Sequence, residues 1–250
     1  IQKPVILVGS QRSSDRGSSD ATMNVLCAAQ FIVNSDFAGV GICMHGTMND
    51  DFCYIHSGVH ARKMHTSRRD AFKSVDVSPV AKVTRSGHIE MLEYKKHDGM
   101  FHPVFVFEKK VALIKINPGF TADQLKFYIQ NGYKGIVLEG TGLGHLPINE
   151  TDGYTKHHPQ LLETIRTASK DTIIVMTSQC IFGKVNMNVY SPGRKLLEAG
   201  VIPIWMTPET AFVKLGWVLG QKHGEEAKEL FKENLVGEIV ERIDPRAFIE

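Results

Sequence analysis

Lys63 is the single lysine in a short basic stretch that also holds Arg62, Arg68 and Arg69. An ammonium that is partly buried or set beside other cations can give up its proton and act as a base, which a guanidinium cannot do. The stretch therefore offers a candidate base or an anion site, beside the plainer reading of a solvated basic face. A second polar concentration follows a buried apolar run: Ser178-Gln179-Cys180, then Asn186-Met187-Asn188. The amides of Gln179, Asn186 and Asn188 suit a small polar ligand; hydrogen bonding inside the loop is the competing reading.

Other motifs carry less chemistry. Gly140-Thr141-Gly142-Leu143-Gly144 follows an apolar run, but its spacing is Gly-x-Gly-x-Gly, and Leu146-Pro147-Ile148 comes next instead of a helix start. A dinucleotide fingerprint needs Gly-x-Gly-x-x-Gly opening a helix, so a tight turn at a strand's carboxyl end is the better reading, at the place where open α/β sheets seat ligands. The loop Ser10–Ser19 follows one run and precedes another but lacks P-loop spacing. His56, His60 and His65 have no carboxylate or cysteine at a zinc-like spacing and are read as solvated loop histidines. No Ser-His-Asp pattern is legible. Cys27, Cys43 and Cys180 lie among apolar residues, no Cys-x-x-Cys pair is present, and the four cysteines are expected to be buried, reduced thiols of an intracellular protein.

These residues need a frame. Val5-Ile6-Leu7-Val8 reads as a buried parallel strand, Asp20 as the cap of a helix reaching about Asn34, and Gly39–Met44 as the next strand. A strand–helix–strand unit of that length builds a parallel sheet. His45–Ser74 is less regular, with a short apolar piece at Phe52–Ile55; Val80–Lys96 alternates like further strands; Asp98–Pro103 is turn-rich and makes a plausible linker. A second alternating series follows: strands at Val111–Ile116, Gly135–Glu139, Thr172–Thr177 and Gly200–Ile202. The helices are expected at Thr121–Asn131 with a capping box, His157–Ala168, Ser191–Ala199, Thr207–Lys222 with proline at its first position, and Glu225–Leu235. The fold class is α/β: two doubly wound parallel-sheet domains, 1–105 and 106–250.

Composition agrees with an ordinary folded chain. Of 250 residues, 42% are hydrophobic and 22% charged, enough to bury a sizeable core. A net charge of +2 is too small to argue for nucleic-acid binding, and no apolar run approaches the roughly 18 residues of a membrane span. The chain starts at Ile1 and enters a strand almost at once, so a preceding segment is expected.

Several runs carry a resemblance. Lys3-Pro-Val-Ile-Leu-Val-Gly-Ser-Gln-Arg-Ser-Ser-Asp-Arg-Gly-Ser-Ser-Asp20 resembles the asparaginase/glutaminase family. Its Ser-Ser-Asp-Arg-x-Ser-Ser-Asp part is similar to the D-subunit branch, which serves archaeal-type glutamyl-tRNA(Gln) amidotransferases. Ile42–Cys53, Ala61–Ser74, Ser178–Tyr190 and Leu196–Pro203 extend the resemblance over nearly the whole chain.

The resemblance implies an asparaginase-like fold and a threonine nucleophile that attacks a side-chain amide carbon, releasing ammonia. A second threonine, an aspartate and a lysine would relay protons. Only the lysine falls in this sequence, and its motif aligns on Lys63; the threonines and the aspartate belong to elements preceding a strand like Val5–Val8, so the segment alone is expected to be inactive. The resemblance further implies a cytoplasmic homodimer, with Gln179, Asn186 or Asn188 approaching L-glutamine. It implies no cofactor on this chain; ammonia would pass to a partner, the amidotransferase's E-subunit, which uses ATP and Mg to convert Glu-tRNA(Gln) to Gln-tRNA(Gln). A free type I cytoplasmic asparaginase and a non-catalytic small-ligand sensor are the alternatives. The Ser-Ser-Asp-Arg and Lys-Met-His-Thr-Ser-Arg-Arg-Asp runs favour the first reading over the asparaginase, and the missing threonines would favour the sensor if the chain were complete.

Overall fold

Two sheets organise the chain, and their strand directions follow from the lengths of the connections. The computed structural model describes residues 1–94, 96, 102–242 and 247–248. It forms two compact units, Ile1–Pro103 with the chain end from Arg242, and Val104–Glu241. The expected linker at Asp98–Pro103 lies outside the described residues except for His102 and Pro103.

In the first unit, β1 (Pro4–Val8), α1 (Ala21–Asn34) and β2 (Gly39–His45) make the expected strand–helix–strand unit, with β1 parallel to β2. The helix turns Met23, Cys27, Ala28 and Phe31 onto the sheet, where they meet Cys43, Cys53 and Ile55. This is the 3.6-residue period that an amphipathic helix needs. The next connection, residues 46–51, is too short for a crossover, so β3 (Phe52–Ser57) returns antiparallel to β2. Strands β4 (Ala61–Lys63) and β5 (Phe72–Ser74) form a separate hairpin. The main sheet continues antiparallel through β6 (Ala81–Thr84) and β7 (Ile89–Met91), giving the order β1-β2-β3-β6-β7. The α/β character holds here, with the parallel arrangement confined to the first strand pair.

The second unit has the fully parallel sheet. Its order is β11 (Ile202–Pro203), β10 (Ile173–Ser178), β9 (Gly135–Gly140), β8 (Val111–Lys115). Helices α2 (Ala122–Gln130), α3 (His158–Ala168) and α4 (Ser191–Glu198) supply Leu125, Leu161, Ile165 and Leu196 to the core that holds Ile136, Leu138, Ile174 and Met176. Helices α5 (Pro208–Leu219) and α6 (Gly224–Lys232) supply Ala211, Leu215, Val218 and Phe231 to a second core around Val137 and Val175. Burial on both faces of the central strands β9 and β10 explains their apolar runs. Gly135 is required where α5 crosses, because a Cβ there would lie 2.7 Å from the side chains of Leu215 and Leu219.

The expected helix starts are seen at α2 and α5. Gln124 accepts from the Thr121 N–H at 2.8 Å, and Thr207 Oγ1 accepts from the Thr210 N–H at 3.3 Å. Two helices end three residues earlier than expected. The helix after β11 ends at Leu219, and α6 ends at Lys232, three residues short of Leu235. The chain after Lys232 turns back because Glu238, buried, accepts from the Leu235 and Val236 N–H groups and pairs with Lys214.

Candidate functional site

The carboxyl ends of β1 and β2 carry a buried polar chain. The loop after β1 folds over Asp20, whose fully buried carboxylate accepts from the N–H groups of Gln11 and Arg12 at 3.0 Å. Asp20 occupies the N-cap position of α1 but its side chain caps nothing there. The sequence expectation of a capping carboxylate is corrected: the same oxygens satisfy the loop. One turn on, the Asn24 amide nitrogen donates to Asp20 at 3.1 Å and to the Gly9 carbonyl at 2.9 Å. That commits the Asn24 nitrogen to acceptors and leaves its oxygen facing Cys53 Sγ, at 3.3 Å, and His45 Nδ1. His45, the last residue of β2 and fully buried, reaches Asp50 with Nε2 at 3.0 Å. Asp50 in turn receives Arg69 Nη1 at 2.7 Å, and Arg69 Nη2 donates to the Met48 carbonyl. The His45 hydrogen bond first, then the Arg69 guanidinium, hold the Asp50 carboxyl below the ordinary range against the cost of burial.

Arg69 belongs to the tip of the β4–β5 hairpin, and Lys63 is the last residue of β4. The region expected to be an irregular loop is thus partly a hairpin, closed by the Met64 N–H on the Ala71 carbonyl at 2.7 Å. The Lys63 side chain is exposed and makes no hydrogen bond or ion pair among the described residues. Its arginine neighbours are engaged: Arg68 grips the buried Asp70 with two bonds of 2.8 Å, which, ahead of the Lys73 charge, lowers the Asp70 carboxyl. The basic cluster therefore splits into anchoring arginines and one free ammonium.

The histidines correct the loop reading. His65 is exposed, and its Nδ1 accepts from the Ser67 and Arg68 N–H groups. His56 lies on β3 and His60 just beyond it, and both are buried. His56 Nδ1 meets Ser74 Oγ at 2.8 Å, and its Nε2 has no partner among the described residues. Burial, and secondarily the Lys73 charge, push His56 down to about 3. The unfolded chain then takes up its proton first. The stability this neutral ring contributes is complete above about pH 6.5 and is lost as the pH falls toward 3, at about 1.4 kcal/mol per unit. Urea midpoints at pH 7 and pH 5 should show a fall of about 2 kcal/mol that His56→Asn lacks. Equal pH dependence in the two proteins would remove His56 as the cause.

In the second unit, the polar residues gather at the carboxyl ends of β9 and β10. The glycine-rich loop is a tight turn: Thr141 and His145 bridge, and Gly142 and Gly144 have φ of +54° and +101°. Ser178 Oγ donates to the Gly142 carbonyl at 2.6 Å, and the Asn186 N–H to that of Leu143 at 3.0 Å. The Gln179 amide nitrogen donates to the carbonyls of Ile116 and Glu139, the latter at 2.9 Å. Asn186 Oδ1 accepts from the Asn188 N–H at 3.3 Å. Asn186 and Asn188 are exposed, while Gln179 is half-buried. Loop-internal bonding thus uses part of each amide of Gln179 and Asn186 and leaves Gln179 Oε1 and the Asn186 nitrogen for a ligand. Beside them, His145 has a buried Nε2 with no partner among the described residues and packs on Tyr190 at 5.5 Å. Cys180 is exposed, which corrects the expectation that all four thiols are buried; Cys27, Cys43 and Cys53 are. Among the described residues no three His, Cys, Asp or Glu side chains form a metal-like group, and no helix is long and apolar enough to cross a membrane.

The sequence singles out Lys63, Gln179, Asn186 and Asn188 but not Asn24, His45 and Asp50. The available signal was the Asp20–Asn24 pair, one helical turn apart at the mouth of a parallel strand pair.

Known proteins close the question of family. Residues 1–96 match the model of the asparaginase N-terminal domain, and residues 110–231 that of the glutaminase/asparaginase C-terminal domain. The chain is 49% identical to the glutamyl-tRNA(Gln) amidotransferase D-subunit of Pyrococcus furiosus, over 100% of the chain and 56% of that protein. It is 46% identical to the protein of the same name from Archaeoglobus fulgidus, over 95% of the chain and 55% of that protein. It thus spans little more than half the length of these curated relatives. Among solved structures, the thermostable L-asparaginase from Thermococcus kodakarensis superposes with a TM-score of 0.82 at 30% identity, covering 96% of this chain and 68% of that one. L-asparaginase I from Vibrio cholerae gives 0.79 at 29% identity, with the same coverage. With both domain models matched in order and the asparaginase fold shared along its length, the chain belongs to the asparaginase/glutaminase family.

Proposed function

We propose that this chain is part of a glutamine amidohydrolase that supplies ammonia to a tRNA-dependent amidotransferase. The observation that carries the reading is the 49% identity to an amidotransferase D-subunit across the full length of the chain. In the reaction, a threonine hydroxyl outside this segment attacks the side-chain amide carbon of L-glutamine. The C–N bond breaks, ammonia leaves with the proton the relay delivers, and water then hydrolyses the acyl-enzyme. Lys63 is the relay's base: it is the uncommitted ammonium on the hairpin, and its neighbours Arg68 and Arg69 are already engaged. Gln179, Asn186 and Asn188 are the proposed substrate contacts, through the polar atoms that loop bonding leaves over. Residues 1–105 would be the remainder of the N-terminal catalytic domain and 106–250 the C-terminal domain. The assembly would be a cytoplasmic homodimer joined by the E-subunit, which uses ATP and Mg and holds most of the contact with Glu-tRNA(Gln).

A second reading, a free L-asparaginase, draws on the L-asparaginase structures that this fold matches. One experiment separates the two. Ammonia release from L-glutamine and from L-asparagine is measured with the full-length gene product, with and without the E-subunit partner and Glu-tRNA(Gln). Glutamine hydrolysis stimulated by partner and charged tRNA is expected; fast, partner-independent asparagine hydrolysis would replace this reading with the second.

A further inference from the structure

We propose that Asn24, His45, Asp50 and Arg69 form a positioning relay that fixes the Lys63 hairpin against the carboxyl ends of β1 and β2. The inference rests on the role of Lys63 given above and adds what places that residue.

The β4 and β5 strands have three residues each and stand as a sheet of their own, paired with no other strand among the described residues. Two-stranded ribbons hold poorly by themselves in water. The Lys63 ammonium has no partner of its own among the described residues, so its place is decided by its backbone. The tip that follows it, Met64–Ala71, is tied elsewhere through Arg69, whose two terminal nitrogens bind the Asp50 carboxylate and the Met48 carbonyl.

Asp50 is half exposed and would be a weak anchor without a rigid neighbour. His45 supplies one. Its Nδ1 faces Asn24 Oδ1, and its Nε2 faces the Asp50 carboxylate at 3.0 Å. Both are acceptors, because the Asn24 nitrogen is already spent on Asp20 and Gly9. The ring therefore bridges the two side chains through its two nitrogens. Asn24 and Asp20 are fully buried on the same turn, and Asp20 holds the loop after β1 by the Gln11 and Arg12 N–H groups. The chain Asp20–Asn24–His45–Asp50–Arg69 thus runs from the start of α1 to the hairpin tip without a break. A surface ion pair such as Arg69–Asp50 has little worth alone; backed by a buried neutral amide and a fixed ring, it holds one geometry. The residues do no chemistry themselves: they act through the place of Lys63.

The test uses the full-length enzyme with its partner and the variants Asp50→Asn and Arg69→Met, the second touching only the hairpin side. Three quantities are read: kcat and KM for glutamine, hydrogen exchange of the Met64–Ala71 amides, and the melting temperature. Misplacing a relay group costs up to about a hundredfold. The expected result is a kcat lowered about ten- to a hundredfold in both variants, a KM within about threefold, and faster exchange at the hairpin tip. A kcat within about twofold of wild type in either variant, while Lys63→Met is inactive, overturns the relay; so does unchanged exchange at the tip. If wild-type enzyme releases no ammonia from either amide, the functional reading falls, and the exchange measurement still decides whether the clamp exists.

Discussion

Lys63→Met should lower glutamine hydrolysis by the full-length enzyme about a hundred- to ten-thousandfold, the range that general acid–base groups contribute, and leave the fold unchanged. The loss of activity rests on the proposed role of Lys63 as the base, and the unchanged fold on its geometry. The Lys63 side chain is exposed and unpaired among the described residues, so methionine, of similar length, removes no structural bond. The backbone of β4 keeps its register with β5, Lys63 opposite Phe72. Lys63→Arg should not restore activity, because a guanidinium keeps its proton at any pH that the protein survives. The measurement is ammonia release under saturating glutamine, beside a thermal melt. Wild-type turnover in Lys63→Met would end the assignment. A collapsed melting temperature would instead mean that the side chain holds structure, contrary to its exposure.

How far the sequence carried this picture depends on the range over which each feature is encoded. The strands of the second unit were legible because each is a short unbroken apolar run between turn residues, and the Gly140–Gly144 turn because glycines stand where φ is positive. The direction of β3 was not, although the short connection between β2 and β3 already excludes a crossover. Three-residue strands such as β4 and β5 leave no period to read, so a hairpin passed as loop. Asp20 matched a cap by residue type and position, yet its carboxylate serves Gln11 and Arg12, nine and eight residues back. Asn24, His45 and Asp50 are ordinary residues in the sequence; they become a chain only when α1 lies beside β2. Lys63 itself was picked by family resemblance: composition alone offered a basic stretch, and the structure adds that Arg68 and Arg69 are occupied.

The largest stability effect is expected at Lys214 and Glu238, which lie far apart in the chain and carry no family signal. Their side chains are 6% and 3% exposed, with Nζ and Oε1 2.5 Å apart. Burial works against the Glu238 charge, and the Lys214 ammonium with the Val236 N–H outweighs it, so the carboxyl titrates below the ordinary range. Lys214 also donates to the Glu233 carbonyl and lies 5.5 Å from the centre of the Phe231 ring, so the pair pins the chain after α6 onto α5. The Leu235 and Val236 N–H groups bond different oxygens of Glu238, so Glu238→Gln keeps an acceptor for one of them while it removes the charge. A buried ammonium is then left uncompensated, at a cost of about 3–5 kcal/mol. For a chain of this size that lowers the melting temperature by roughly 10 °C. Lys214→Met paired with Glu238→Leu should recover most of the loss, since an apolar pair of similar volume owes no desolvation. The sign of the pH effect is fixed as well: a lowered carboxyl contributes stability that is present above about pH 4.5 and is lost as the pH falls through its lowered pKa. Melts of the three proteins at pH 7 decide the matter. A single variant within about 1 kcal/mol of wild type would mean that water reaches the pair, and a double variant as unstable as the single would mean that the salt bridge itself, not the avoidance of a lone charge, holds the segment.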